Sequence, residues 1–474
     1  MNRLLSGGLL FAAVAACAPA AQLEYPTTPP VPGPAREFAT PVSVERTMAN
    51  GMRVIYVSKP QLPIVQATLI TRGGQTDDPA DIQGLGAFTA SLLDEGAAGR
   101  SALDFAAAVE QLGASLQAGV NWDATQVSLH VLSEEFPEAL RLMADMVIRP
   151  DFPAPEVDRV LQERLTNLAR GRDDPARIAN NAFSALVYGA EHPYGRLTTE
   201  ESARRATRQA VVDYHRRFYT PAASTLLLVG DVDPSMQPLI EQVFGGWSGG
   251  NPPPTAVPAP RQLDRTRIYL VDKAGAPQSQ IYIGHSGAAR DTPDYYALEV
   301  LNTVLGGSFT SRLSQNLREA HGYTYGASSG FGMRRGAGPF TAGAAVVTAK
   351  TDSAVIEFFR EIEKIRAEAV PADELELTKR YLTLGLPQQL ETTGQIASSI
   401  AELVIYGLPL DYYDDYVSRI MAVTSEDVQR VARQYLHPDR AAVVVVGDRA
   451  AIESGLRALP MGVVEIRPIE EFVR

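Results

Sequence analysis

One pattern occurs twice in this chain. Phe218, Tyr219, Thr220 and Pro221 lead into an apolar run ending at Val229, Gly230 and Asp231, and Tyr435, Leu436, His437 and Pro438 lead into another ending at Val446, Gly447 and Asp448. Pro221 and Pro438 share an offset of 217 residues, and so do Gly230 and Gly447. Upstream, Val187-Tyr188-Gly189 answers Ile405-Tyr406-Gly407, so the agreement runs through a helix and a strand rather than one motif. Duplication on this scale implies two homologous halves.

At 474 residues the chain is long enough for two or three domains, each with its own core. A hydrophobic content of 45% with 21% charged residues is ordinary for globular protein. The formal charge of −12, with no basic run against it, excludes a nucleic-acid surface as the expected partner.

Residues 1–17 read as a lipoprotein signal peptide. Arg3 supplies the positive end, and Leu4 to Ala16 is apolar but too short to span a bilayer. Val14-Ala15-Ala16-Cys17 resembles a bacterial lipobox. Cys17 is the only cysteine, so an intramolecular disulfide is impossible and a lipid-accepting thiol accounts for its presence. The alternative is a simple secretory peptide cut after Ala-x-Ala. Residues 18–40 carry Pro19, Pro26, Pro29, Pro30, Pro32 and Pro34, a semi-rigid tether. A second break from Trp247 to Pro260 holds Gly249, Gly250 and five prolines, which divides the mature chain into a half at 41–246, a linker at 247–261 and a half at 262–474.

Strand patterns cover Arg53 to Val57, Ile64 to Ile70, Thr125 to Leu132 and Thr225 to Val229. Helical patterns cover Leu85 to Leu93, Leu103 to Leu112, Glu134 to Val147, Glu156 to Arg170 and Gln209 to Arg217. Helices arrive in consecutive blocks between strands. The expected fold is therefore α+β, each half a sheet with helices packed on one face, rather than a doubly wound parallel sheet.

The segment from Gly84 to Gly96, Gly-Leu-Gly-Ala-Phe-Thr-Ala-Ser-Leu-Leu-Asp-Glu-Gly, resembles the zinc helix of the pitrilysin and insulinase metallopeptidases, in their mitochondrial-processing-peptidase-like branch. Asp173-Asp174-Pro175, His192-Pro193-Tyr194-Gly195 and the Tyr-x-Pro to Val-Gly-Asp blocks follow in that family's order, so the resemblance covers almost the whole mature chain. It implies mixed, mostly antiparallel sheets, with the two halves forming half of a clamshell chamber. Active members carry His-x-x-Glu-His on this helix: two imidazoles one turn apart bind zinc and the Glu acts on the bound water. The matching positions here are Ala87, Ala90 and Ser91, and the family's third ligand, a later Glu, falls at Thr166-Asn167. These replacements imply that the chain holds no zinc of its own.

No other grouping of residues in the sequence replaces that site. The six histidines, His130, His192, His215, His285, His321 and His437, form no i, i+4 pair. Asp94 and Glu95 stand near the vacated positions but read as solvated helix-end caps. His192 reads as a turn residue.

In the second half, Leu305-Gly306-Gly307-Ser308 precedes Ser311-Arg312-Leu313 and then Leu317-Arg318-Glu319-Ala320-His321-Gly322-Tyr323-Thr324-Tyr325. The resembling family carries an Arg and a Tyr seven residues apart in this block, and Arg318 and Tyr325 match that spacing. The resemblance implies that they bind a substrate carbonyl and stabilise an oxyanion, work suited to a fixed cation and a phenol donor. Read singly, an Arg at a helix end is a surface charge and a Tyr opening a strand is packing. Arg312 reads as structural. Val120-Asn121-Trp122-Asp123-Ala124-Thr125 lies where the family has a peptide-pairing edge strand, or is an ordinary strand after a turn.

The resulting expectation is a non-catalytic, substrate-binding subunit of a heterodimeric zinc metallopeptidase, lipid-anchored at the bacterial cell envelope and facing the periplasm. A homologous partner bearing the zinc motif would supply zinc, and peptides would be the substrates. Ala18 after the lipidated Cys17 points to the outer membrane. The alternative is a degenerate peptidase-like scaffold or binding protein without a role in proteolysis.

Overall fold

The structure, a computed structural model, describes residues 40–473. Cys17, its signal segment and the tether up to residue 39 lie outside the described residues. No described helix is long and apolar enough to cross a membrane.

The first half contributes β1 (Ser43–Thr47), β2 (Arg53–Ser58), β3 (Ile64–Thr71), β4 (Ser115–Val120), β5 (Thr125–Leu132) and β6 (Ser224–Gly230). They form one sheet in the order β1-β2-β6-β3-β5-β4. Only β2 and β6 run parallel; every other neighbouring pair is antiparallel. The second half contributes β7 (Arg267–Asp272), β8 (Gln278–Ser286), β9 (Thr324–Phe331), β10 (Pro339–Val347), β11 (Ala442–Gly447) and β12 (Val463–Arg467), in the order β9-β10-β8-β11-β7-β12. The five strands β2 to β6 thus recur as β7 to β11 in the same spatial order. The outer edges differ: β1 pairs antiparallel with β2, whereas β12, from the chain's end, pairs parallel with β7.

Helices α1 (Leu85–Ala90), α2 (Ala102–Gln111), α3 (Phe136–Ile148), α4 (Ala154–Arg170), α5 (Pro175–Tyr188), α6 (Glu200–Arg205), α7 (Arg208–Phe218) and α8 (Gln237–Phe244) belong to the first half. The second half carries α9 (Tyr295–Asn302), α10 (Thr351–Ala367), α11 (Ala372–Gln389), α12 (Thr393–Tyr406), α13 (Tyr416–Ala422), α14 (Ser425–Tyr435) and α15 (Arg449–Arg457). Two departures from the sequence reading lie near the candidate site. The first helix ends at Ala90 rather than Leu93, because the Ser91 hydroxyl donates to the Phe88 carbonyl at 2.9 Å and the backbone tightens. The edge strand is Ser115–Val120, not Val120 to Thr125; Asn121–Ala124 is its turn, held where Asn121 Oδ1 accepts from Asp123 N at 2.9 Å and Ala124 N at 2.8 Å.

Period-two alternation sends each strand's side chains to two different cores. Val54, Tyr56, Leu226 and Leu228 face the helices of their own half. Ile55, Val57, Leu227 and Val229 face the other way, into a core completed by Ile396, Ala397 and Ile400 of α12. The reciprocal holds on the second sheet, where Tyr269, Val271, Val444 and Val446 meet Ile178, Ala179, Ala182 and Phe183 of α5. Each half therefore lends one helix to the other's sheet. The lent helices end at the matched tripeptides: Gly189 (φ 78°) follows α5 and Gly407 (φ 66°) follows α12.

Candidate functional site

Helix α1 begins at a left-handed Gly84 (φ 90°), a backbone conformation that favours glycine, packed close to Arg164 of α4. Asp78 satisfies the first N–H groups, accepting from Gly84 at 2.6 Å, Gly86 at 2.8 Å and Gln83 Nε2 at 3.2 Å. Burial pushes the Asp78 carboxyl up to about 7, against the pull of the two backbone donors and of Arg164.

Ala87, Ala90 and Ser91 occupy the last turn of this helix. Ala90 is buried, Ala87 half-buried and Ser91 exposed, with its hydroxyl spent on Phe88. Asn167 is exposed on α4, and its backbone carbonyl accepts from Arg177 Nη1 at 2.8 Å. The neighbouring Thr166 hydroxyl donates to Gln162 O at 2.9 Å. Two methyl groups, one committed hydroxyl and one amide present no imidazole, thiolate or carboxylate, so these positions do not fit a zinc ion. Glu95 is engaged by Arg159 at 2.5 Å. Among the described residues, no group of three or more His, Cys, Asp or Glu is placed to hold a metal.

Arg318 lies in the segment between α9 and the edge strand β9, and Tyr325 lies in β9 itself. Two π-helical turns, Thr303–Gly307, which holds Gly306 and Gly307, and Ser314–Ala320, which carries Arg318, flank the loop between them. Such turns are rare and are frequent at functional sites. Arg318 is part-exposed; its Nε lies 3.5 Å from Glu319 Oε1 and its guanidinium 4.3 Å from the centroid of the Phe309 ring. Tyr325 sits in a β-bulge, the register of β9 on β10 shifting between Thr324 and Ala327, and is 93% exposed. A bulge turns its residue out of the sheet's alternation, which accounts for a tyrosine so free of packing. Arg312 instead forms a bidentate pair with Glu374 at 2.9 and 2.7 Å and pins this loop to α11.

His192 is a structural residue: its Nδ1 accepts from Tyr194 N at 3.1 Å and its Nε2 lies 3.0 Å from Pro258 O of the segment joining the halves. Burial holds its pKa below the usual histidine value. Nearby, Arg334 lies between Trp122 and Tyr194, 3.8 and 4.4 Å from their ring centroids, and Arg335 Nε reaches Asp123 Oδ1 at 3.3 Å. Sequence reasoning missed these arginines, together with Asp78, Arg164 and Phe309. Each acts on a partner from another element, and no local spacing announces that.

Comparison with known proteins accords with the fold of two similar halves. A family profile described as "Insulinase (Peptidase family M16)" matches residues 53–188, and one described as "Peptidase M16 inactive domain" matches residues 205–382. An uncharacterized zinc protease of Mycobacterium tuberculosis is 27% identical over 421 residues, covering 87% of this chain and 95% of its own length. One of Bacillus subtilis is 24% identical over 404 residues, covering 84% and 97%. Among solved structures, the peptidase M16 inactive domain from Pseudomonas fluorescens superimposes with a TM-score of 0.80 at 26% identity over 86% of this chain and 98% of that one. A protease from Helicobacter pylori shares the fold with a TM-score of 0.77 at 20% identity, over 86% and 100%.

Proposed function

The chain belongs to the M16 family of insulinase- and pitrilysin-like peptidases, and on that premise we propose that it is the non-catalytic, substrate-binding subunit of a heterodimeric zinc metallopeptidase acting on peptides. The observation that carries this reading is the contrast between the halves. The helix that would hold zinc offers Ala87, Ala90 and Ser91, while the second half presents Arg318 and a tyrosine turned fully outward at a bulge.

In this reading zinc and the base that activates water belong to a homologous partner carrying His-x-x-Glu-His. This chain binds the peptide. Arg318 donates a charge-assisted hydrogen bond to a peptide carbonyl, and the Tyr325 hydroxyl donates to oxygen as negative charge develops on it. Attachment through a lipid on Cys17 places the pair at the envelope, facing the periplasm.

The test is to purify the complex from detergent-extracted envelope membranes, assay its metal and follow peptide cleavage. One zinc per heterodimer is expected, located in the partner. Tyr325→Phe removes one hydroxyl and is expected to lower kcat about 100-fold to 1000-fold, the usual cost of an oxyanion donor. Arg318→Ala is expected to raise KM as well. Wild-type turnover by both variants in an intact complex would make this chain a scaffold instead.

A further inference from the structure

Phe309 is 70% exposed, an unusual place for a large aromatic side chain, and it is the residue on which Arg318 rests. Its loop is built tightly. A Cβ on Gly306 would stand 2.4 Å from Ser329 N of β9, and one on Gly307 would stand 3.1 Å from Asn302 O of α9. Ser329 Oγ in turn lies 2.8 Å from Asn302 Oδ1, and Ser308 Oγ donates to Thr303 O at 3.3 Å. The backbone that leads into Phe309 is therefore held close against the edge strand that carries Tyr325.

The chemistry of the stack differs from that of an ion pair. A carboxylate that held Arg318 would occupy the N–H groups at the edge of its guanidinium. A ring engages the flat face and leaves those in-plane donors free. The charged contact Arg318 does have, Glu319 at 3.5 Å, comes from an adjacent, half-exposed side chain.

We propose that Phe309 is a positioning residue for Arg318: its ring holds the guanidinium flat, with the donor edge turned to an incoming peptide carbonyl. This rests on the reading of Arg318 as a substrate-binding group. It makes Phe309 part of that site although it lies nine residues from Arg318 in sequence.

Two measurements on the full chain test the proposal. The first needs no partner: with isotope-labelled arginine, the δ-methylene resonances of Arg318, assigned by their loss in Arg318→Lys, are expected upfield of the other exposed arginines through the ring current of Phe309. They are expected to stay there in Phe309→Tyr and return to the exposed-arginine position in Phe309→Leu. The second follows cleavage of a quenched-fluorescence peptide by the purified complex. Phe309→Leu is expected to lower kcat/KM about threefold to fivefold, the range for an exposed cation–π contact. The loss should appear mainly in KM, be absent in Phe309→Tyr, and add nothing in an Arg318→Ala background. An Arg318 resonance that Phe309→Leu does not move overturns the proposal, whatever Arg318 does. Cleavage impaired by Arg318→Ala but not by Phe309→Leu also overturns it and leaves the function of Arg318 standing. Cleavage indifferent to Arg318→Ala removes the reading of Arg318 and the proposal with it.

Discussion

Asp78 shows how a single buried carboxyl couples a helix start to pH. It accepts from the N–H groups that open α1, yet burial raises its pKa from 3.8 to about 7. A group whose folded pKa lies above its unfolded value favours the fold in its protonated form. That contribution is complete below about pH 4 and lost as pH rises through about 7. A shift of this size corresponds to at most about 4 kcal/mol. The melting temperature is therefore expected to fall between pH 5 and pH 8, and Asp78→Asn, which keeps an oxygen acceptor and cannot ionise, is expected to flatten that slope. An unchanged slope in the variant would assign the pH dependence to other groups. Nothing in the sequence singled out Asp78, because the Gly-Leu-Gly start it caps lies six residues away and the contact exists only after the loop folds back. Arg318 and Tyr325 stand out in the sequence by their seven-residue spacing within one block. Phe309 does not, because its contact with Arg318 is made across a turn whose shape the glycines set.

At the scale of elements, the strong periodicities were legible and the weak ones were not. Strands such as Ile64–Thr71 and helices such as Ala154–Arg170 announce themselves by apolar spacing. The edge strand Ser115–Val120 alternates exposed and half-buried residues with no strong apolar face, so its Ser-Leu-Gln-Ala-Gly-Val is not among the strand patterns of the sequence. The repeated Tyr-Gly pairs were legible as a repeat, and the structure supplies their purpose as the ends of the two lent helices. Those ends are not equivalent. Gly407 is left-handed (φ 66°, ψ 28°) with open space at its Cβ position, whereas Gly189 (φ 78°, ψ 160°) lies where residues with a side chain do not go. Gly407→Ala is expected to destabilise by about 1 kcal/mol, and Gly189→Ala by up to about 3 kcal/mol, read as midpoint shifts in urea unfolding. Equal shifts would show that the backbone at Gly189 relaxes.

The whole molecule turns on the exchange of α5 and α12. Duplication, readable from Pro221/Pro438 and Gly230/Gly447, implies two similar sheets, and two are present. Which helix covers which sheet was not readable: Ile178-Ala179 and Ile396-Ala397 carry the same apolar spacing whether they pack on their own half or the other. The consequence is energetic. Without α12, the first sheet would expose Ile55, Val57, Leu227 and Val229 to water, and without α5 the second would expose Tyr269, Val271 and Val444. The seam is closed further by Arg335 on Asp123 and by the Tyr188 hydroxyl donating to Ala337 O at 3.0 Å. The halves should therefore unfold together, despite the Pro-rich connection between them. Ile396→Ala tests this, because Ile396 is fully buried on α12 and belongs by sequence to the second half. Its truncation is expected to cost about 2–5 kcal/mol. Native-state hydrogen exchange should then show protection lowered at β3 and β6 of the first half as much as at α12 itself. A single calorimetric transition should persist at a lower temperature. If the loss of protection stayed within the second half, or the melt split into two transitions, the exchanged helices would be neighbours in space without being coupled in stability.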